Sequence, residues 1–140
     1  NITEACFLLN RPYLESYTKA DIEELLNDLA NLGIPQVVLT GVKFKDNELG
    51  VASFTKATGE INYYFREEVP YSFHGTGDIY ASCFFGALMN DFNLQESMKI
   101  AVDFTVDAIL KTVEDRNEHW YGVHFESVIP NLIQAISKNK

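Results

Sequence analysis

Ser72-Phe-His-Gly-Thr-Gly-Asp-Ile-Tyr-Ala-Ser-Cys83 is the stretch on which the reading of the chain turns. It predicts a short glycine loop, Gly75-Thr76-Gly77, that runs straight into a helix. Glycine permits backbone angles that a Cβ forbids and lets peptide amides approach a ligand closely. The first-turn N–H groups of a helix have no intrahelical partner and lie at the positive end of its dipole. A phosphate is the natural guest of such an anion hole. Asp78 stands at its mouth. A carboxylate repels a phosphate, so its presence there makes chemical sense if it takes a proton from an alcohol that attacks the phosphorus. The same string also reads as a plain turn with an acidic residue suiting the dipole, and by itself it leaves both readings open.

Working outward, the upstream sequence predicts an α/β fold. Thr18 is placed to cap an amphipathic helix with Ile22, Leu25, Leu26, Leu29 and Leu32 at helical spacing. Gly33 and Pro35 stop it, and Gln36-Val-Val-Leu-Thr-Gly41 follows as a buried-type strand. Helix, turn, hydrophobic strand is half of a βαβ unit and predicts a partly parallel mixed sheet flanked by helices. Ligands gather beyond the carboxyl ends of strands in open α/β sheets, which makes Thr40 and Gly41 candidate nucleotide contacts; a strand-ending turn is the alternative. Residues 49–55 and 60–66, joined by Lys56-Ala-Thr-Gly59, predict an edge hairpin. Its Tyr63-Tyr64-Phe65 run is assigned to packing. At the start, Thr3 is placed to cap a short helix with Glu4 in its first turn. The functional alternative has Asn1 and Glu4 facing a Mg²⁺–nucleotide site, since Mg²⁺ keeps several waters and is held through one or two carboxylates.

Downstream, Asn90-Asp-Phe-Asn93 breaks the helix that Asp78 opens, and residues 94–113 predict a longer one with Leu94, Met98, Ala101, Thr105, Ala108 and Ile109 along one face. Residues 114–119 form a charged turn. His74 is read as a lining residue, and His119 and His124 lack an i, i+4 partner that would suggest a metal pair. A last helix, residues 126–138, contains Pro130, which is expected to bend or shorten it.

Composition fits one globular domain: 140 residues, 46% hydrophobic and 22% charged. The net charge of −9 and the lack of a basic stripe argue against nucleic acid or anionic membrane as partner. No apolar run approaches the ~20 residues of a membrane span. Cys6 and Cys83 are too few for a disulfide framework and read as reduced thiols of a cytoplasmic protein. The chain opens on Asn1, in what reads as working sequence, which suggests a fragment of a longer protein.

Taken together, Asn1-Ile-Thr-Glu4-Ala, Leu39-Thr40-Gly41-Val42, Tyr63-Tyr-Phe65, Phe73-His-Gly-Thr-Gly-Asp78 and Trp120-Tyr-Gly-Val123 resemble the C-terminal half of bacterial pyridoxal/pyridoxamine kinases, of the ribokinase-like superfamily. The resemblance runs through essentially all 140 residues. It implies ATP-dependent phosphorylation of the 5′-hydroxyl of a vitamin B6 vitamer, ATP and Mg²⁺ as cofactors, and a homodimeric parent. It implies that Asp78 is the general base, that Gly75, Thr76 and Gly77 form the anion hole, that Asn1, Thr40 and Gly41 contact ATP, and that Glu4 acts on Mg²⁺ through water. It also implies a missing first half, which would carry most of the B6 pocket and much of the parallel sheet. The piece alone is then expected to be inactive, with an apolar sheet edge and face exposed. Two other readings stand beside it. One is a kinase of the same superfamily acting on hydroxymethylpyrimidine or a sugar. The other is a non-catalytic nucleotide- or protein-binding module.

Overall fold

The computed structural model describes residues 1–115 and 122–137. His119, Trp120, Tyr121 and Lys138 lie outside the described residues. The chain divides into two compact units, Asn1–Glu68 and Val69–Lys140.

The first unit is two helices on a small sheet: α1 (Ile2–Leu8), α2 (Lys19–Asn31), β1 (Gln36–Val42), β2 (Glu48–Thr55) and β3 (Glu60–Glu67). The cap of α1 is Asn1, not Thr3. Its side chain accepts from the Glu4 amide while Glu4 reaches back to the Asn1 nitrogen. Asn-x-x-Glu is thus a capping box, and Thr3 lies inside the helix it was expected to open. Thr18 caps α2 as predicted, with Asp21 as its reciprocal partner.

The strand order is β1-β2-β3 and both pairings are antiparallel. The expected partly parallel sheet is therefore not formed among the described residues. A parallel pair needs a long crossover, whereas these strands follow one another through the short connections 43–47 and 56–59, which suit antiparallel neighbours. The α/β class and the hairpin stand. One face of the sheet carries Val37, Leu39, Ala52 and Phe54, which form a core with Ile22, Leu25, Leu26 and Leu29 of α2 and with Ile2, Ala5 and Cys6 of α1. Tyr63 and Phe65 pack against that core, each about edge-on or tilted to Phe44, with ring centroids 5.6 and 5.5 Å away. On that face Gly50 pairs with Phe65, and a Cβ at Gly50 would stand 2.2 Å from the Tyr64 carbonyl oxygen. Only glycine fits there. Lys56, in the hairpin loop, donates from Nζ to the carbonyl of Ala30 at 3.2 Å and so caps the end of α2.

The second unit holds α3 (Thr76–Leu88), α4 (Leu94–Glu114), a 3₁₀ turn at Glu126–Val128 and α5 (Ile129–Ser137). Asn93 caps α4 with Glu96 in a third capping box. Cys83 of α3 packs with Ala101, Phe104 and Ala108 of α4 and with Val128. Burial pushes the Cys83 thiol pKa up to about 11. Met98 is fully buried, whereas Phe85 of α3 and Met89, which caps its C-terminal end, are 63% and 68% exposed. Pro130 splits the last predicted helix: the 3₁₀ turn ends before it, and α5 takes Pro130 in its first turn, where no amide donor is needed.

Candidate active site

The start of α3 differs from those of α1, α2 and α4. Each of those three opens with a side-chain cap, and α3 has none. Its N-cap is Gly75, held at φ 87°, a left-handed conformation that glycine adopts freely. The Gly75 carbonyl accepts the first helical bond, from the Ile79 amide at 3.0 Å. Thr76, Gly77 and Asp78 are the next three residues, so their amides have no intrahelical acceptor. The predicted three-residue glycine loop is in fact one cap residue and the first turn. Gly77 takes no left-handed angle, and a Cβ there would meet nothing within 4 Å. Gly75 and Gly77 are both exposed. Thr76 Oγ1 donates to the Phe73 carbonyl at 3.3 Å, which fixes the turn and leaves the amide as this residue's open donor. Asp78 is exposed, and among the described residues its carboxylate is tied to no structural partner. The second unit therefore offers three peptide N–H groups and a free carboxylate within one helical turn.

A second segment backs this turn. A Cβ at Gly122 would lie in ordinary van der Waals range of the His74 carbonyl oxygen, at 3.9 Å. Val123 packs against the same buried cluster as Ile79 and Tyr80. The His124 amide donates to Thr112 Oγ1 at 2.8 Å, and that hydroxyl donates to the Ala108 carbonyl at 2.7 Å. The His124 ring nitrogen Nδ1 lies 3.1 Å from Asp115 Oδ2. Partial desolvation alone would raise the Asp115 pKa, but the His124 contact and Lys111 outweigh it and hold the carboxyl below its usual range.

In the first unit, Asn1 and Glu4 sit together through the capping box. Glu4 Oε2 takes the Asn1 nitrogen at 2.7 Å, and the Glu4 side chain is 72% exposed. Thr40 pairs with Val51, and the register shifts between Thr40 and Val42, so Gly41, at φ 80°, is the extra residue of a bulge. The expected strand end is this bulge, and β1 continues to Val42. Thr40 lies on the sheet face opposite the Leu39 core, with Ser53 two register positions along. Ser53 Oγ is buried without a hydrogen-bond partner among the described residues. Among the described residues no group of three or more His, Cys, Asp or Glu could hold a metal ion, and no helix is long and apolar enough to cross a membrane.

The model of the phosphomethylpyrimidine kinase family matches residues 1–122. A Bacteroides thetaiotaomicron structure assigned as a phosphomethylpyrimidine kinase superposes with a TM-score of 0.85 at 26% identity, covering 94% of this chain and 46% of that one. Pyridoxal kinase from Lactobacillus plantarum gives 0.82 at 25% identity, covering 99% and 48%. Pyridoxal kinase from Leishmania donovani, in complex with ADP and pyridoxine, shares the fold at 0.78 with 20% identity, covering 94% and 45%. The chain spans just under half the length of these structures. No curated protein matches it in sequence. By the family match and the shared architecture, the chain belongs to the phosphomethylpyrimidine kinase family and has its ribokinase-like α/β fold.

Proposed function

We propose that this chain is the nucleotide-side portion of a kinase that transfers the terminal phosphoryl group of ATP to the 5′-hydroxyl of pyridoxal, pyridoxamine or pyridoxine. The observation that carries the reading is the uncapped start of α3, with open amides beside an untied carboxylate. In this reading Gly75, Thr76 and Gly77 supply donors to the phosphoryl oxygens. Asp78 takes the proton from the substrate hydroxyl as that oxygen attacks the phosphorus and ADP leaves. Positioning and charge stabilisation do most of the work in such a transfer. Asn1, Thr40 and Gly41 are assigned to ATP.

Glu4 suits a Mg²⁺ held partly through water, because it is one exposed carboxylate with an oxygen to spare rather than part of a cage. When bound, the ion neutralises the phosphates. Two unbridged cysteines agree with a cytoplasmic enzyme, and a homodimeric parent is part of the same proposal.

The test is Asp78→Asn in the longer polypeptide that carries this chain. Turnover is expected to fall about 10²–10⁴-fold while ADP affinity stays within a few-fold. A loss of less than a few-fold rejects the base. The second reading is a hydroxymethylpyrimidine kinase, favoured by the description of the matching family model. Turnover with pyridoxal, pyridoxamine and hydroxymethylpyrimidine in parallel separates the two.

A further inference from the structure

We infer that Thr112, far along α4 from the candidate base, is a positioning residue for the anion hole. Resting on the function proposed above, it acts through a strap formed by residues 122–125. The Thr112 side chain is fully buried. Its hydroxyl is bonded on both sides: it donates to Ala108 O at 2.7 Å and accepts from the His124 amide at 2.8 Å. The first of these bonds is an ordinary threonine habit inside a helix. The second is not, because it spends the hydroxyl's lone pair on a different segment and fixes that segment's backbone to α4. Asp115, one turn on, holds the His124 ring at 3.1 Å, and Lys111 stands 3.5 Å from the same carboxylate. The strap is closed on itself by a Phe125 amide bond to the Val123 carbonyl at 3.0 Å.

The strap reaches the start of α3 in two ways. Val123 packs against the same buried cluster of Cys83, Ala101, Phe104, Ala108 and Val128 as Ile79 and Tyr80, the residues immediately after Asp78. A Cβ added at Gly122 would come within van der Waals range of the carbonyl of His74, the residue before the Gly75 cap. The strap and the start of α3 thus share one apolar cluster and one van der Waals approach. Valine at 112 keeps the shape but removes the acceptor, and a buried amide without a partner is costly. The strap should lift, and the Gly75 cap should lose its backing.

Hydrogen exchange followed by NMR on the 140-residue chain tests this directly. The Ile79 amide, bonded to Gly75 O, reports the cap, and the His124 amide reports the strap. Thr112→Val is expected to speed exchange at both by about tenfold, and Thr112→Ser to restore both. Asp115→Ala, at a half-buried position, removes the tie to the His124 ring together with the Lys111 pair; it should loosen both to a smaller degree and stands in if Thr112→Val does not fold. Titration with inorganic phosphate, followed at the amides of residues 76–78, should show several-fold weaker binding in the loosened variants. Loosened His124 with an unchanged Ile79 in either folded variant overturns the strap. Loss of protection at both sites, with no phosphate response even in the unaltered chain, keeps the strap and sinks the kinase reading instead.

Discussion

At the scale of single residues, two glycines separate folding from chemistry. Gly50 has a packing reason to exist, because the β3 backbone and the Phe65 ring occupy the place of a Cβ. Gly50→Ala should cost about 1–3 kcal/mol, read as a lower denaturant midpoint. Gly77 has no such reason. It sits in a helix, at an ordinary angle, with open space where a Cβ would go. Gly77→Ala should leave the melting temperature unchanged or raise it, by up to about 1 kcal/mol in helix propensity. In the longer enzyme the same change should cut turnover about 10²-fold, by pushing the phosphate off its amides. Equal turnover for Gly77→Ala would mean that no ligand comes close there. That Gly75-Thr76-Gly77-Asp78 opens a helix was legible from residue types alone, whereas its division into one cap and a first helical turn was not. Gly50 was not legible at all, since its crowding comes from a strand partner that no local pattern announces.

At the scale of elements, α1, α2 and α4 each close their first turn with a reciprocal side-chain box. Asn93→Ala should destabilise α4 by about 1 kcal/mol, measured by thermal unfolding. The α3–α4 contact carries a pH signature. The Cys83 pKa is raised from 9.0 to about 11 by burial. Below pH 9 both folded and unfolded thiols are protonated and the contribution is complete. As pH climbs from 9 towards 11 the unfolded thiol ionises first, so stability is lost, by about 2–3 kcal/mol at most. Cys83→Ala should flatten the melting curve in that window. Tyr63, raised to about 12 by burial and then by the Glu23 charge, adds a further loss at higher pH. The periodicity of α2 and α4 and the 56–59 hairpin were readable because each is set by neighbours in sequence. The parallel sheet was misjudged because the helix-then-strand order is shared by both pairings, and only the short connections decide between them.

At the scale of the whole molecule, the family match and the coverage of just under half of each solved relative point the same way. The 140-residue chain alone should phosphorylate neither pyridoxal nor hydroxymethylpyrimidine, while the longer polypeptide containing it should act on at least one. A coupled ADP-release assay on both decides. Appreciable turnover by the short chain would show that it holds a full acceptor pocket. The family was legible from a few short motifs that recur in order along the chain. The acceptor was not, because the choice of alcohol depends on pocket walls that the quoted motifs do not describe.

The chain's two methionines occupy opposite extremes, Met89 open to solvent and Met98 sealed. Sulfoxide formation follows exposure. Dilute peroxide should therefore add a single oxygen atom quickly, at Met89, and a second only after unfolding. Mass spectrometry of that first adduct becomes a gauge of what shields α3: anything that docks over its outer flank should slow the reaction at Met89 without any label being introduced.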